Sequence, residues 1–277
     1  MNKTSFNRNK KISILGCGWL GLPLAEYFIQ NQYTVSGSVA GIDRIKLLRK
    51  AGIIPYHIYL NPLINEDFDK EFFNSDILIV NFPPKRRDDI IEFHERQVLS
   101  LLNAIKNSAV KKVIFVSSTS VYANTNSVVD ELNTDTPDKN SGKALRIVEE
   151  LFQQEDSFDT TIVRFGGLIG YDRKPGRFFA GKKQVKDGES PVNLIHRDDC
   201  IGIINHIIEN ELWGEIFNAC CPEHPKRKDF YKHAAKLGGF ELPEFSLTKE
   251  QFKIISSEKL IKTSGYLFHF SNPIDAL

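Results

Sequence analysis

Three glycines near the N-terminus have a spacing that suits phosphate binding. The stretch "ILGCGWLGLPLAEYF" places Gly16, Gly18 and Gly21 in the pattern G-x-G-x-x-G, between an apolar run and a helical pattern. The first glycine permits a tight turn, the second lets the backbone approach a pyrophosphate, and the third lets the helix pack closely. The helix N-terminus offers N–H groups to the phosphates. A glycine-rich turn without a ligand is the alternative, but this context favours dinucleotide binding.

The end of the second predicted strand bears on which dinucleotide is bound. An acidic residue there would hold the ribose 2′-hydroxyl of NAD(H) and repel the 2′-phosphate of NADP(H). That window holds Ser36, Gly37 and Ser38, and Arg44 follows shortly after. Asp43 is the competing candidate, but its position suggests the N-cap of the next helix. The sequence therefore favours NADP(H), with NAD(H) left possible, and it predicts no metal site.

Short apolar runs alternate with helical patterns over the first two-thirds of the chain. Strands are predicted at 11–16, 33–39, 55–60, 76–82, 111–118 and 160–166. Helices are predicted at 19–31, 43–51, 88–107 and 142–155. The strands lack strict alternation of polar and apolar residues, which indicates a parallel sheet buried on both faces. Right-handed crossovers then give a doubly wound, Rossmann-type α/β fold.

The regular alternation of predicted strands and helices ends at about residue 166. The stretch "GGLIGYDRKPGRFFAGKKQVKDGESP" predicts long loops, because glycine, proline and basic residues cluster in it. A helix near 197–210, a short strand at 215–220 and a helix near 226–238 follow. We therefore predict a dinucleotide-binding Rossmann domain at 1–165 and a small C-terminal substrate-binding lobe at 166–277, interleaved with the first domain.

Composition narrows the possible partners and the compartment. Among 277 residues, 36 Lys and Arg nearly balance 35 Asp and Glu, so no global charge favours nucleic acid or an anionic membrane. The N-terminal "MNKTSFNRNK" lacks an apolar signal core, and no apolar run is long enough to span a bilayer. Cys17, Cys200, Cys220 and Cys221 lack zinc spacing and predict buried thiols. We expect a cytoplasmic monomer or homodimer with a small-molecule substrate.

Three later segments carry a family resemblance. The segment "VSSTSVYA" contains Ser117, Ser118, Val121 and Tyr122, and "VRFGGLIG" and "VNLIHRDD" follow it. In these segments and in their order, the chain resembles the extended short-chain dehydrogenase/reductase family, which contains nucleotide-sugar epimerases and dehydratases. The resemblance covers nearly the whole chain.

The catalytic segment of that family reads Tyr-Gly-x-x-Lys, with a glutamate four residues after the lysine. On "SGKALRIVE" this pattern matches Gly142 and Glu149, and it leaves Ser141 and Leu145 at the tyrosine and lysine positions. A shift of two residues keeps Lys143 as the lysine but loses both matches. The pKa of a serine hydroxyl is too high to replace a phenol unaided. The chain thus resembles atypical members that lack the Tyr-Lys pair.

The glycine motif and the resemblance together give two sets of candidate site residues. The catalytic candidates are Ser118, Tyr122, Ser141 and Lys143. The cofactor-binding candidates are Gly16, Gly18, Trp19, Leu20, Gly21, Ser38, Arg44, Asn81, Pro83 and Ser117. Structural roles compete with the catalytic ones: a strand-end cap for Ser118, packing for Tyr122 and a helix N-cap for Ser141.

Further residues have both a functional and a structural interpretation. His196 of "VNLIHRDD" is interpreted as a structural residue more than as a base. The family binds substrate phosphates near a basic loop that here contains Arg173, Lys174, Arg177, Lys182 and Lys183. Solvated charge is the alternative for that loop and for Lys85, Arg86 and Arg87.

Two functions from different classes follow. The first is an NADP(H)-dependent oxidoreductase or epimerase-type enzyme acting on a small, anionic substrate. The second is a non-catalytic NADP(H)-binding protein with a redox-sensing or regulatory role.

Overall fold

The computed structural model describes residues 10–248 and 251–277. The N-terminal stretch interpreted above as lacking a signal core lies outside them, except for Lys10. The described strands are β1 (Lys11–Leu15), β2 (Thr34–Val39), β3 (Ile54–His57), β4 (Ile77–Val80), β5 (Lys112–Ser118), β6 (Ser127–Val129), β7 (Asp159–Phe165), β8 (Gly167–Ile169), β9 (Leu194–His196), β10 (Ile216–Ala219) and β11 (Lys253–Ile255). The described helices are α1 (Gly21–Gln30), α2 (Ile45–Lys50), α3 (Ile90–Ile105), α4 (Asn140–Gln154), α5 (Arg197–Glu209), α6 (Arg227–Leu237) and α7 (Glu258–Ser264).

A seven-stranded sheet forms the centre of the fold, with strand order β10-β7-β5-β4-β1-β2-β3. The strands from β5 to β3 pair in parallel, with Ile14 opposite Gly37 in β2 and opposite Ile79 in β4. All four residues of β4 are buried, as expected for a strand covered on both faces. The order reverses between β1 and β4, where open α/β sheets bind their ligands. The predicted doubly wound α/β fold is confirmed.

The chain divides into two compact units. The first unit comprises Met1–Ser117, Lys139–Val163 and Ile207–Ile216, and the second comprises Ser118–Asp138, Arg164–His206 and Phe217–Leu277. The sequence predicted a boundary between 165 and 166. The structure places the corresponding boundary between Val163 and Arg164, and it assigns 118–138 to the second unit and 207–216 to the first.

The second unit contains short strands that the sequence analysis did not predict. Strand β8 pairs with β9 and β6 pairs with β11, each in parallel over three residues. Strand β8 lies inside the stretch predicted as long loops, so that prediction is wrong at 167–169. Three residues are too few to show a period, and their pairing partners lie far away in sequence. Buried side chains of Ile169, Val192, Leu194 and Phe230 form a core cluster of this unit.

Two expectations from composition can be compared with the described residues. All four cysteines are buried free thiols, as predicted. Within 10–248 and 251–277, no helix combines the length and the apolar character that crossing a membrane requires.

Candidate functional site

Two glycines of the G-x-G-x-x-G loop are required by the packing of the protein itself. Gly16 has a φ of +102°, and a Cβ atom there would lie 2.4 Å from the carbonyl oxygen of Asn81. A Cβ atom on Gly21 would lie 2.3 Å from the carbonyl oxygen of Gly16. Both contacts involve backbone atoms that cannot rotate away. A side chain at either position would therefore displace the loop from the strand ends.

The first turn of this loop is held by side chains of two neighbouring strands. The N–H of Gly16 donates to Ser38 Oγ at 3.0 Å, and its carbonyl oxygen accepts from Asn81 Nδ2 at 3.1 Å. The N–H of Cys17 donates to the carbonyl oxygen of Ser38 at 2.8 Å. Ser38 is only 1% exposed, so its hydroxyl acts as an acceptor for the loop backbone and not for solvent. Ser38 and Asn81, predicted as cofactor neighbours, thus fix the loop's shape.

The middle glycine differs from the other two. A Cβ atom on Gly18 would meet no protein atom within 4 Å, and its φ lies outside the left-handed region. Neither packing nor backbone conformation explains why this position has no side chain. The adjacent N-terminus of α1 has no side-chain cap and no acidic residue in its first turn. An uncapped positive helix end that follows a glycine with open space beside it fits a pyrophosphate.

The end of β2 carries no carboxylate. Strand β2 ends at Val39, and Arg44 follows as an exposed residue of a 3-10 turn at Ile42–Arg44. Burial raises the pKa of Cys17 to about 12, while the Ser38 backbone and the positive charge of Arg44 act in the opposite direction. The charge of Arg44 thus favours the ionised form of a thiol in the glycine loop, although burial outweighs it.

The structure corrects the interpretation of Asp43 as a helix N-cap. Asp43 lies inside the 3-10 turn, and the N-cap position of α2 is occupied by Arg44. Its carboxylate lies over Gly41, where a Cβ atom would approach Oδ1 to 2.6 Å. The turn begins before Asp43 because the carbonyl oxygen of Gly41 already accepts from the N–H of Arg44 at 3.1 Å.

The remaining cofactor candidates lie in different environments. Leu20 is 3% exposed and contributes to the core, whereas Trp19 is partly exposed and Pro83 is exposed. Ser117 is buried, and its hydroxyl donates to Glu149 Oε1 at 2.5 Å. In the sequence, Glu149 only matched the glutamate of the family motif, and this buried hydrogen bond was not predicted.

Helix α4 begins earlier than expected, so the interpretation of Ser141 as its N-cap is wrong. The carbonyl oxygen of Lys139 accepts from the N–H groups of Gly142 and Lys143 at 2.9 and 3.0 Å. Lys139 is therefore the N-cap residue, and Ser141 lies within the first turn. At about 100° per residue, Ser141 lies on the same face as the buried Leu145, whereas Lys143 lies about 160° away.

Tyr122 belongs to a buried polar network in the second unit. Its side chain is 1% exposed, its hydroxyl donates to Asn218 Oδ1 at 2.8 Å, and it accepts from Arg164 Nη1 at 2.6 Å. Burial raises the pKa of this phenol, although Arg164 acts in the opposite direction. Asn218 in turn donates its N–H to Glu131 Oε1 at 2.7 Å. The only hydrogen of the Tyr122 hydroxyl is already donated within the protein.

Ser118 retains a hydrogen that it can donate. Its Oγ accepts from the N–H of Ser120 at 3.2 Å, which is the local capping role considered above. The residue is half-buried. An accepting hydroxyl can still donate its own hydrogen to another group.

The side chains of His196 and Asp199 in "VNLIHRDD" accept hydrogen bonds within the second unit. The fully buried carboxylate of Asp199 accepts from the Tyr266 hydroxyl at 3.0 Å and from the N–H groups of His269 and Phe270 at 2.7 and 3.2 Å. His196 Nδ1 accepts from the N–H of Asp198 at 3.2 Å. Burial lowers the pKa of His196. Both residues fix backbone segments.

The charged segments singled out in the sequence are exposed. Arg87 forms an ion pair with Asp89, and its guanidinium lies 3.7 Å from the ring centre of Phe93. In the basic loop, Lys183 pairs with Glu244 at 2.5 Å. Across the described ranges, no group of three or more His, Cys, Asp or Glu residues has the arrangement of a metal site.

The fold and the glycine loop define a dinucleotide-binding protein of the Rossmann class. A family model described as NAD(P)H-binding matches residues 16–210, and the chain belongs to this family. Protein YeeZ of Escherichia coli strain K12 is 35% identical over 270 residues, which cover 96% of this chain and 98% of that protein.

Solved structures share the fold over nearly their whole length. The UDP-N-acetylglucosamine 4-epimerase from Bacillus cereus has a TM-score of 0.77 and 15% identity, covering 97% of this chain and 94% of that one. A short-chain dehydrogenase/reductase superfamily protein from Agrobacterium tumefaciens, with bound NAD, has a TM-score of 0.76 and 16% identity, covering 96% and 94%. These structures confirm the fold that the resemblance predicts.

Proposed function

We propose that this protein binds NADP(H) in preference to NAD(H) and acts as an oxidoreductase or epimerase-type enzyme on a small, anionic substrate. Binding of a nicotinamide dinucleotide follows from the family. The preference for the 2′-phosphate and the catalytic activity are the further steps proposed.

The position of Arg44 carries the cofactor preference. Its guanidinium is exposed, acts electrostatically on the glycine loop, and forms no ion pair with any carboxylate of the described residues. A guanidinium can hold a phosphate through two parallel hydrogen bonds. Asp43, the competing residue, directs its carboxylate toward Gly41 of its own turn. These observations support a 2′-phosphate beside Arg44.

Fluorescence titration of the purified protein with NADPH and NADH tests the preference. We expect Arg44→Ala to weaken NADPH binding roughly 10- to 100-fold, the range of one charge-assisted hydrogen bond, and to leave NADH nearly unchanged. Arg49→Ala removes another exposed arginine from α2 and serves as the matched control. A preference for NADH in the unaltered protein, or unchanged NADPH affinity in Arg44→Ala, would contradict the proposal.

The enzymatic part of the proposal depends on Ser118. When bound, the nicotinamide accepts or supplies a hydride. The Ser118 hydroxyl keeps a hydrogen with which it can orient a substrate carbonyl or hydroxyl, whereas the Tyr122 hydroxyl is already engaged. NADPH-dependent turnover on a panel of carbonyl compounds should therefore fall at least tenfold in Ser118→Ala. Ser120→Ala, which removes a neighbouring hydroxyl, is the control.

A second candidate function is cofactor binding without turnover, in a redox-sensing or regulatory role. It is favoured by the buried Leu145 at the position of the family's lysine, and by the engaged phenol of Tyr122. Tight NADPH binding together with no turnover on any carbonyl of the panel would support this candidate and contradict the first.

A further inference from the structure

The first unit contains a cavity of about 530 Å³, here named the amino-edge pocket. Its volume lies in the range of pockets that bind small molecules. One wall comes from the segment that precedes β4, and the other comes from the C-terminal half of α3 and the turn before β5. The lining includes two aromatic and four polar residues: Phe68, Phe73, Asn74, Ser100, Asn103 and Asn107.

The amino-edge pocket lies at the opposite edge of the sheet from the glycine loop. Strands β1, β4 and β5 are parallel, so their N-terminal ends lie along one edge. Asn74 precedes β4 and Ser108 precedes β5, whereas the glycine loop follows the C-terminal end of β1. A ligand in this pocket therefore needs no residue of the cofactor site, and the pocket is not explained by the proposed function.

The asparagines of the pocket have hydrogen-bonding groups to spare. The side-chain amides of Asn103 and Asn107 are exposed and form no hydrogen bond with any residue that the structure describes. Asn74 donates through Nδ2 to Glu71 Oε1 at 2.7 Å and keeps its oxygen as an acceptor. A carboxamide presents an acceptor oxygen and N–H donors in one plane. The pocket thus offers planar groups that both donate and accept.

Two hydroxyls add donors, and charge is almost absent. Ser100 Oγ accepts from the N–H of Ile64 at 3.1 Å, and Ser108 Oγ accepts from the N–H of Val110 at 3.2 Å. Each hydroxyl keeps its own hydrogen to donate. Within the described lining, Lys70 is the only charged residue, and it is exposed. The lining therefore suits a neutral ligand that has both donors and acceptors.

Phe68 gives the pocket an aromatic surface. The rings of Phe68 and Phe73 meet edge to face, with their centres 5.8 Å apart. Phe73 is only 2% exposed, whereas Phe68 is partly exposed, so Phe68 is the ring with surface left for a ligand. Aromatic side chains stack on the flat faces of nucleobases, and asparagine amides pair with nucleobase edges.

We propose that the amino-edge pocket binds the neutral heteroaromatic ring of a nucleoside. The flat face of the ring lies against Phe68, and the amides of Asn103 and Asn107 bind its edge. A saturated sugar ring also has hydroxyls that suit the amides, but it has no flat face for the Phe68 ring. The nearly uncharged lining makes an anionic group unnecessary for binding.

Ligand-detected NMR titration of the full-length protein with adenosine, and separately with uridine, tests this site. The protein is first saturated with NADPH or NADH, whichever binds more tightly, so that the glycine loop is occupied. We expect at least one nucleoside to bind with a Kd of about 1 mM or tighter. The stronger one identifies the base as a purine or a pyrimidine. Methyl glucoside, which lacks a flat ring, should bind roughly tenfold more weakly or not at all.

Substitutions in the lining show whether the nucleoside occupies this pocket. Asn103→Ala and Asn107→Ala should each weaken nucleoside binding roughly fivefold or more, the range of one neutral hydrogen bond. Phe68→Leu keeps an apolar side chain but removes the flat ring, and it should weaken binding to a similar extent. Ala109→Trp places a bulky side chain in the lining and should abolish binding. A nucleoside bound at the glycine loop would not respond to these changes.

Two control variants separate this site from other effects. Lys106→Ala removes an exposed side chain that lies between the two asparagine positions but outside the lining, and it should leave nucleoside binding unchanged. Gly18→Ala should lose cofactor affinity and still bind the nucleoside, so failure of the cofactor proposal is distinguishable from failure of this one. The asparagines are exposed, so their variants keep the test valid if Ala109→Trp does not fold. Binding of neither nucleoside, tighter binding of methyl glucoside, or unchanged nucleoside binding in the asparagine and Phe68 variants would overturn the proposal.

Discussion

The glycine loop after β1 and the segment "VNLIHRDD" both match family motifs, yet they use their polar groups differently. In the loop, Ser38 and Asn81 form hydrogen bonds with the backbone N–H and carbonyl groups of Gly16. The space beside Gly18 stays open. In "VNLIHRDD", Asn193 both donates to the carbonyl oxygen of Lys253 at 2.9 Å and accepts from an N–H of β11 at 2.9 Å. The Asp199 carboxylate accepts from the Tyr266 hydroxyl and from the N–H groups of His269 and Phe270, all of which lie in its own unit.

This difference in hydrogen bonding distinguishes residues that stabilise the fold from positions that are available to a ligand. A motif residue whose hydrogen bonds are all made inside the protein is explained by the fold alone. A position with unexplained open space, such as Gly18, is not explained by the fold alone.

The largest effects on stability and cofactor binding are expected from substitutions of two loop glycines. The two substitutions should act in different ways. Gly21→Val forces a side chain against the carbonyl oxygen of Gly16 and should cost about 3 kcal/mol or more, together with all cofactor binding. Gly18→Ala should change the free energy of unfolding by less than about 0.5 kcal/mol and weaken cofactor binding roughly tenfold or more. Thermal melting and fluorescence titration measure both. Full cofactor affinity in Gly18→Ala would show that the open space is not a binding site.

The next effect concerns the buried carboxylate of the second unit. Asp199→Ala leaves the Tyr266 hydroxyl and two backbone N–H groups without their acceptor, so it should cost about 3 kcal/mol or more in urea unfolding. His269→Ala removes an exposed ring at 3.3 Å from the same carboxylate and should cost less than about 1 kcal/mol. Equal stability of the two variants would mean that Asp199 does not hold the C-terminal segment.

A third prediction concerns a buried histidine of the first unit. Gln97 Nε2 donates to the carbonyl oxygen of Leu60 at 2.8 Å, so its oxygen faces His94 and accepts from Nδ1 at 3.1 Å. His94 Nε2 is then a buried acceptor without a partner among the described residues. Burial lowers the pKa of His94, because the charged ring would lose its hydration.

The sign of the pH effect follows from this lowered pKa. The unfolded chain takes up a proton below about pH 6.5 and the native ring does so only at lower pH, so stability is present above about pH 6.5 and is lost as pH falls. His94→Phe should flatten the pH dependence of the unfolding free energy by up to about 1.4 kcal/mol per pH unit. Urea unfolding between about pH 8 and about pH 5 measures the slope. His233→Gln, at an exposed position, is the control, and a slope equal to the unaltered protein in His94→Phe would refute the assignment.

The sequence predicted the sheet and the glycine loop well because both depend on local patterns. Strand β5, predicted at 111–118, lies at Lys112–Ser118, and α3, predicted at 88–107, lies at Ile90–Ile105. The cap assignments of Asp43 and Ser141 were wrong, since a helix start depends on which carbonyl first accepts a hydrogen bond. The short paired strands could not be predicted, because their partners are distant in sequence.

The candidate site was predictable only in part, for a related reason. The loop glycines could be predicted from their spacing in the sequence. The hydrogen-bond partners of Ser117 and Tyr122 could not, because they come from other elements. Pairing of this kind is a property of the folded chain and leaves no periodic signal in the sequence.

The smallest effect is expected at the first turn of α4. Ser141 is not the N-cap, so Ser141→Ala removes no capping hydrogen bond and should change the free energy of unfolding by less than about 0.5 kcal/mol. Lys143 lies about 160° around the helix from the buried Leu145, so Lys143→Ala should leave cofactor affinity unchanged.

Both variants should also retain any NADPH-dependent turnover, because neither replaces the missing tyrosine or lysine of the family motif. Thermal melting, NADPH titration and turnover on the carbonyl panel are measured together, with Ser118→Ala as the variant expected to lose activity. A hundredfold loss of turnover in Ser141→Ala, with cofactor affinity intact, would show that this serine takes part in proton transfer. Since Ser141 shares the buried face of Leu145, that result would place the reacting group at the start of α4 and shift the catalytic assignment away from Ser118.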